Sequence, residues 1–435
     1  MSNGTNENSG EEYAITIGID WADRKHDLWI RDAATSKAEY QQLQHTPEAI
    51  AAWVAGLRKR ARGARVAIGL EQSKGALFYA LMDNDFIDLY PINPQSLANY
   101  RKTFHTSRAK DDPTDAELIE DLVYRHRNRL RVCNPDDVQT RKLRLLCEKR
   151  RKAVNLRTSL SNILTWTLKE YYPQALELIG EDTYSIMACD FILKWSTLKD
   201  LKKARVHTLR SFYYGHNSRS DKRLEQRLEL IKSAVPLTED EAVVDVSRLT
   251  ARMLAEQLRL LHHSIKTYEK EIAAVFACHP DQSIFDSFPG AGPQFAPRLL
   301  TAFGSDRDRW DQARDIQQFS GVAPVMERSG NTCWIHKRWA CPKFIRQSFH
   351  EYANESIKRS VWARAYYEQQ RAKGKKHHTA IRSLAFKWIR IMHRCWKDRT
   401  LYDEMTYIRA LQERGSALLQ YVAQPYTANI QEVRK

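Results

Sequence analysis

The sequence predicts an α/β domain followed by a mostly helical remainder. Three observations carry this: apolar strand-like runs alternate with amphipathic helical stretches up to about residue 130, strand signals then largely vanish from Asp136 to Pro280, and that later stretch is helical and strongly charged. At 435 residues the chain exceeds what one hydrophobic core comfortably organises, so two or three domains are expected.

A polar, acidic leader covers residues 1–12 and is expected to be disordered. From Ala14 to Trp21 the chain reads as a strand, with Lys25–Arg31 and Lys37–Gln42 as hairpin partners in a meander. Thr46 then caps a helix carrying Ile50, Trp53, Val54 and Leu57 at helical spacing. The apolar strand Arg65–Leu70 follows, then a helix from about Lys74, a strand around Asp88–Ile92 ending at Asn93-Pro94, and a polar basic stretch through Lys110. A helix begins near Pro113. This order, over residues 13–130, resembles a ribonuclease-H-like (RuvC-like) α/β domain.

Residues 131–280 read as a helical region, with RKLRLLCEKRRKAVNLR as its most basic face. Ala251, Leu254, Leu258, Leu261, Ile265, Tyr268, Ile272 and Val275 alternate steps of three and four, a coiled-coil seam. Two partners suit it: a second copy of the chain, or the helix at residues 139–170 in an intramolecular hairpin. Between the two helices, Tyr184–Val235 is rich in Lys, Arg and aromatics, as a nucleic-acid contact or a solvated insertion would be. Residues 281–400 open with SFPGAGPQFAPRLLTAFG, where two helices around Gly290 and Gly292 would present backbone amides to a phosphate, as in helix-hairpin-helix proteins, unless this is an ordinary Gly-Pro turn. Basic clusters follow at Arg328–Arg346 and at 371–378, and residues 401–435 form a tail without recognisable chemistry.

Composition narrows the partners. Lysine and arginine number 69 against 53 acidic residues, a formal charge of +16, which favours a polyanion such as DNA or RNA through counterion release. The seven cysteines form no CxxC pair, so neither a zinc ribbon nor a disulfide framework is signalled, and a reducing cytoplasm fits. No apolar run approaches a membrane-spanning length, so no membrane partner is expected.

Four acids stand where chemistry is expected. Asp20 ends the strand AITIGID and Glu71 ends VAIGLE; if those strands are neighbours, their carboxylates converge. Asp112 and Asp115, in AKDDPTDAELI, are three apart at a helix start and share a face near its positive end. Such a cluster is costly unless divalent cations fill it, and all-oxygen donors favour Mg2+ or Mn2+. Taken singly, each residue also fits a structural role, as a strand-edge acid or an N-terminal helix acid.

IGID, GLE and KDDPTDA together resemble the DEDD signature of the insertion-sequence one-ten transposases, the bridge-RNA-guided recombinases; FPGAGP, QFSGVAP and ERSG resemble the motifs of that family's C-terminal transposase domain. The resemblance covers residues 14–130 and 281–395. It departs after Glu71, where QSKG stands for the family's Ala-Thr-Gly, and after Ser329, where IHKRWACPKFIRQSF holds no glycine. It implies that Asp20, Glu71, Asp112 and Asp115 are the metal ligands and Ser329 the catalytic serine, forming a covalent phosphoserine that conserves the energy of the cut bond. Arg328, Lys337 and Arg338 would hold backbone phosphates. It further implies a recombinase moving a mobile element in the bacterial cytoplasm or at the nucleoid, guided by an element-encoded RNA. It would act as a dimer pairing into a tetramer, the acidic site of one subunit facing the serine of another. A RuvC-like endonuclease using water, as in junction resolvases, and a non-catalytic nucleic-acid-binding protein are the alternatives.

Overall fold

The computed structural model describes residues 13–71, 74–104 and 112–422, with the Asp112 side chain excepted. The leader 1–12, the end of the basic stretch at 105–111 and the last part of the tail therefore lie outside the described residues. Two compact units divide the chain, residues 1–135 and 136–435.

The first unit is built on a five-stranded sheet. Its elements are β1 (Ile15–Asp20), β2 (Lys25–Asp32), β3 (Ala38–Gln44), α1 (Pro47–Ala61), β4 (Val66–Leu70), α2 (Ala76–Met82), β5 (Ile87–Pro91), α3 (Pro94–Phe104) and α4 (Asp112–His126). The strand order is β3-β2-β1-β4-β5, with β1–β2–β3 antiparallel and β4 and β5 parallel to β1. Thr46 caps α1, its hydroxyl accepting from Ala49 N–H at 3.2 Å.

β1, up to Asp20, and β4 are buried because both sheet faces are covered. Ile15, Ile17 and Ile19 point into a core with Ile50 and Leu57 of α1 and Leu77 and Leu81 of α2. On the other face α4 lies directly on β1 and β4. Gly18 permits this, since a Cβ there would collide with the backbone of Ala116 and Glu120. Glu120 is fully buried and receives Arg31 bidentately, Nε and Nη2 at 2.8 and 2.9 Å.

The stretch after Asn93-Pro94 contains a helix where the sequence reads as polar and irregular. Asn93 Oδ1 accepts from Gln95 N–H at 2.8 Å and Pro94 opens α3. Only Leu97 of this helix is buried, so its hydrophobic period is weak.

The second unit is helical with one β-hairpin. An antiparallel pair, α5 (Val138–Tyr171) and α11 (Glu241–Ala277), forms its spine. Ala251, Leu254, Leu258, Ile265 and Ile272 of the heptad seam are buried within this one chain, alongside Leu143, Cys147, Leu164 and Leu168 of α5. The seam thus pairs with the helix around 139–170 inside the chain, and the reading of it as a contact with a second copy is corrected.

Between them run α6 (Gln174–Ile179), α7 (Ile186–Lys194), α8 (Leu198–Lys202), α9 (Val206–Gly215) and α10 (Asp221–Ser233). Phe191, Trp195, Leu209 and Tyr213 are their core, so the aromatics of this basic insertion face inward. At the other end of the spine are α12 (Gln282–Asp286), α13 (Gly292–Phe303), α14 (Ala313–Phe319), β6 (Val325–Ser329), β7 (Thr332–His336), α15 (Lys343–Ser356), α16 (Val361–Ala372), α17 (His377–Asp398) and α18 (Glu404–Glu413). Trp362, Trp388 and Trp396 are fully buried there, and Leu411, Leu418 and Val422 join the same core. All seven cysteines are free. No helix among the described residues is long and apolar enough to cross a membrane.

Candidate functional site

The acidic site is a product of strand register. In the parallel β1–β4 ladder Ile19 pairs with Leu70, so the next residues, Asp20 and Glu71, leave the sheet at neighbouring positions. Because side chains alternate, Asp20 emerges on the same face as Thr16 and Gly18, the face covered by α4. Asp115 comes from the first turn of α4, one residue before Ala116, whose backbone touches Gly18. It is buried and ion-paired with Arg101 of α3, a guanidinium on the face that the acids share. Asp112 begins α4, one turn earlier. Among the described residues no group of three or more His, Cys, Asp or Glu side chains stands close enough to hold a metal.

Two further residues belong to this face. Asp27, directly opposite Asp20 in the antiparallel ladder, is buried and accepts from Gln42 Nε2 at 3.0 Å and from the Tyr40 hydroxyl. Arg101 is the other. On the opposite face His26 is fully buried, its Nδ1 accepting from Ala22 N–H at 3.3 Å and its Nε2 bonding His45 Nδ1 at 2.9 Å. Burial, and then His45, push the His26 imidazole down to about 4, against the pull of Asp27.

Ser329 closes β6 and pairs with Thr332 of β7 across the two-residue turn Gly330-Asn331. Gly330 has φ +56°, the first-position conformation of a hairpin turn that glycine adopts without strain. The ribbon is solvent-exposed almost throughout. Alternation puts Ser329, Glu327, Trp334 and His336 on one face and Arg328 with Cys333 on the other. Met326, Trp334, Ile335 and Trp339 are all more than half exposed. Lys337 Nζ lies over the Trp339 ring at 4.8 Å, and the Arg338 carbonyl accepts from Arg346 Nη1 at 3.1 Å. The ribbon thus carries Ser329 and Arg328 on opposite faces, and Lys337 and the half-buried Arg338 follow its second strand. Gly290 (φ +78°) sits in the turn between α12 and α13 against Arg359, and Gly292 (φ +47°) opens α13.

Residues 17–173 match the family model described as "Transposase" for the DEDD type of IS110, and residues 282–368 match that described as "Transposase IS116/IS110/IS902 family". The chain belongs to the IS116/IS110/IS902 family of transposases. It is 26% identical over 407 residues to the "Mini-circle putative transposase for IS117" of Streptomyces coelicolor, covering 91% of this chain and 96% of the relative. An "Insertion element IS900 uncharacterized 42 kDa protein" of Mycobacterium paratuberculosis is 24% identical over 407 residues, covering 90% and 98%. An "Insertion element IS110 uncharacterized 43.6 kDa protein" of Streptomyces coelicolor is 23% identical over 303 residues, covering 69% and 73%.

This transposase is accordingly an enzyme of DNA transposition with DNA as its partner. Its DEDD-type domain points to a divalent ion as cofactor, and the donor set fits one: hard carboxylate oxygens at two adjacent strand ends and one helix start. In the transposase, Asp27 and Arg101 escape sequence reasoning. Asp27 follows a buried histidine in a strand with no motif, and the Arg101–Asp115 pair joins residues of separate helices.

Proposed function

We propose that this transposase cuts and rejoins DNA through a covalent phosphoserine on Ser329, with Mg2+ or Mn2+ held by Asp20, Glu71, Asp112 and Asp115. The observation that carries the reading is the position of Ser329 at the tip of an exposed ribbon, where a DNA phosphate reaches it without rearrangement of a core. Among the described residues no side chain hydrogen-bonds the Ser329 hydroxyl. Divalent ions held by Asp20, Glu71, Asp112 and Asp115 would supply Lewis-acid chemistry toward the phosphodiester.

Ser329 Oγ bonds to phosphorus as the bond from phosphorus to one sugar oxygen breaks, and that oxygen leaves as a free hydroxyl. Attack by a strand hydroxyl on the phosphoserine reverses the exchange and restores the serine, so no external energy source is required. Arg328, Lys337 and Arg338 hold the flanking phosphates, and the amides around Gly290 and Gly292 receive another.

A structured RNA encoded by the element selects the DNA in this reading; the charge of +16 supports a second polyanion beside DNA. Self-association into dimers and tetramers draws support from the outer sides of the spine. Leu156, Ile163 and Trp166 of α5 and Val246, Met253 and Leu260 of α11 are exposed at helical spacing although the seam itself is internal.

An excision assay tests the function. A plasmid carrying the element, supplied with this protein, yields rejoined donor DNA; Asp20→Asn, Glu71→Gln and Ser329→Ala each abolish it. Unimpaired strand cutting by Ser329→Ala would instead favour attack by water, as in junction resolvases.

A further inference from the structure

We propose that a cavity between α5, α11 and α13 is a phosphate-binding site for the nucleic-acid backbone, separate from Ser329 and from the acidic residues of the first unit. It measures about 260 Å3 and is lined by Arg150 and Arg151 of α5, Lys266 and Glu269 of α11, and Gln294 and Arg298 of α13.

Charge is unbalanced there. Glu269 is shared between Arg150 at 2.6 Å and Lys266 at 2.9 Å, and Glu351 of α15 between Arg151 at 3.0 Å and Arg298 at 2.8 Å. Two carboxylates therefore serve four cations, and two positive charges are left without a partner of opposite sign. Water does not compensate them fully, because Arg298 is only 5% exposed.

Hydrogen bonding is incomplete in the same place. Arg298 Nε donates to Ser348 Oγ at 3.0 Å and Nη1 to Glu351, but Nη2 is buried without an acceptor, as is Arg151 Nε. Burial lowers the proton affinity of the Arg298 guanidinium, against the pull of Glu351. A phosphodiester brings the missing negative charge and oxygens that match a guanidinium fork. The faces of Phe295 and Phe344, 5.3 and 5.5 Å from the guanidinium carbon, stiffen Arg298 without supplying an acceptor.

This inference requires nucleic-acid binding only and is tested without catalysis, in full-length Ser329→Ala protein with EDTA. Affinities for a short mixed-sequence DNA duplex and for an RNA hairpin are measured by fluorescence anisotropy across a salt series. Lys266→Gln, whose side chain is 66% exposed, and Arg151→Gln are expected to weaken binding about threefold to tenfold and to reduce the salt slope by about one. Glu269→Gln, which frees Arg150 and Lys266, is expected to tighten it by a similar factor. A purely structural ion network predicts the reverse for Glu269→Gln, or no change. Effects in the DNA arm, the RNA arm or both assign the source of the phosphate. Unchanged affinity and salt slope in both arms for Lys266→Gln and Glu269→Gln, with unaltered melting curves, overturn the proposal.

Discussion

Asp20 and Glu71 stand at adjacent strand ends because Ile19 pairs with Leu70 in the parallel β1–β4 ladder. A slip of one residue would turn either carboxylate to the opposite face of the sheet. Asp20→Asn and Glu71→Gln are therefore expected to lower strand cleavage about a hundredfold or more while leaving DNA affinity within a factor of two. Gel-based cleavage beside a binding titration reads both; loss of affinity equal to loss of cleavage would assign the pair a binding role.

Arg101 neutralises the buried Asp115. Removing it in Arg101→Ala leaves a buried carboxylate unpaired, which is expected to cost about 2 kcal/mol without metal. Mn2+ should restore more stability to this variant than to the parent, since cation and guanidinium compete for one carboxylate. Thermal melts with and without Mn2+ decide this; equal metal-induced shifts would separate Asp115 from the ion.

Gly18 sets the height of α4 above the sheet, and with it the position of Asp115. Gly18→Ala forces a methyl group into the Ala116 and Glu120 backbone, so a loss of about 1–3 kcal/mol is expected. Urea unfolding measures it; a neutral result would mean that α4 can lift off the strand without penalty.

His26 gives the first unit a pH dependence. Its folded pKa of about 4 lies below the ordinary histidine value of 6.5, so the unfolded chain takes up a proton first as pH falls. The stability this group contributes is present above pH 6.5 and is lost from there down through pH 4, with a slope of up to about 1.4 kcal/mol per pH unit. Denaturant midpoints at pH 7, 6 and 5 check this, and His26→Gln should flatten the curve.

What the sequence reveals follows from how local each signal is. The strands ITIGID and VAIGL, the Thr46 cap and the long heptad seam are contiguous patterns, and each appears in the fold. The seam's partner is not contiguous with it, so periodicity left a second copy and α5 equally open. α3 hid behind a single buried leucine, Leu97. The α6–α10 core hid because Phe191, Trp195 and Tyr213 lie among lysines and arginines that face outward. Asp20 and Glu71 were legible as strand-end acids, whereas the Arg101–Asp115 pair depends on how two helices meet. Ser329 carries no local mark of chemistry and stood out only through the family resemblance.

Peptide mapping identifies the nucleophile. Protein incubated with element-end DNA and Mg2+ is denatured, digested with nuclease and protease, and analysed by mass spectrometry. A residual nucleotide is expected on the Ser329 peptide, absent from Ser329→Ala and from Asp20→Asn. Cut DNA with no nucleotide on any peptide, or a nucleotide on another residue, would contradict it.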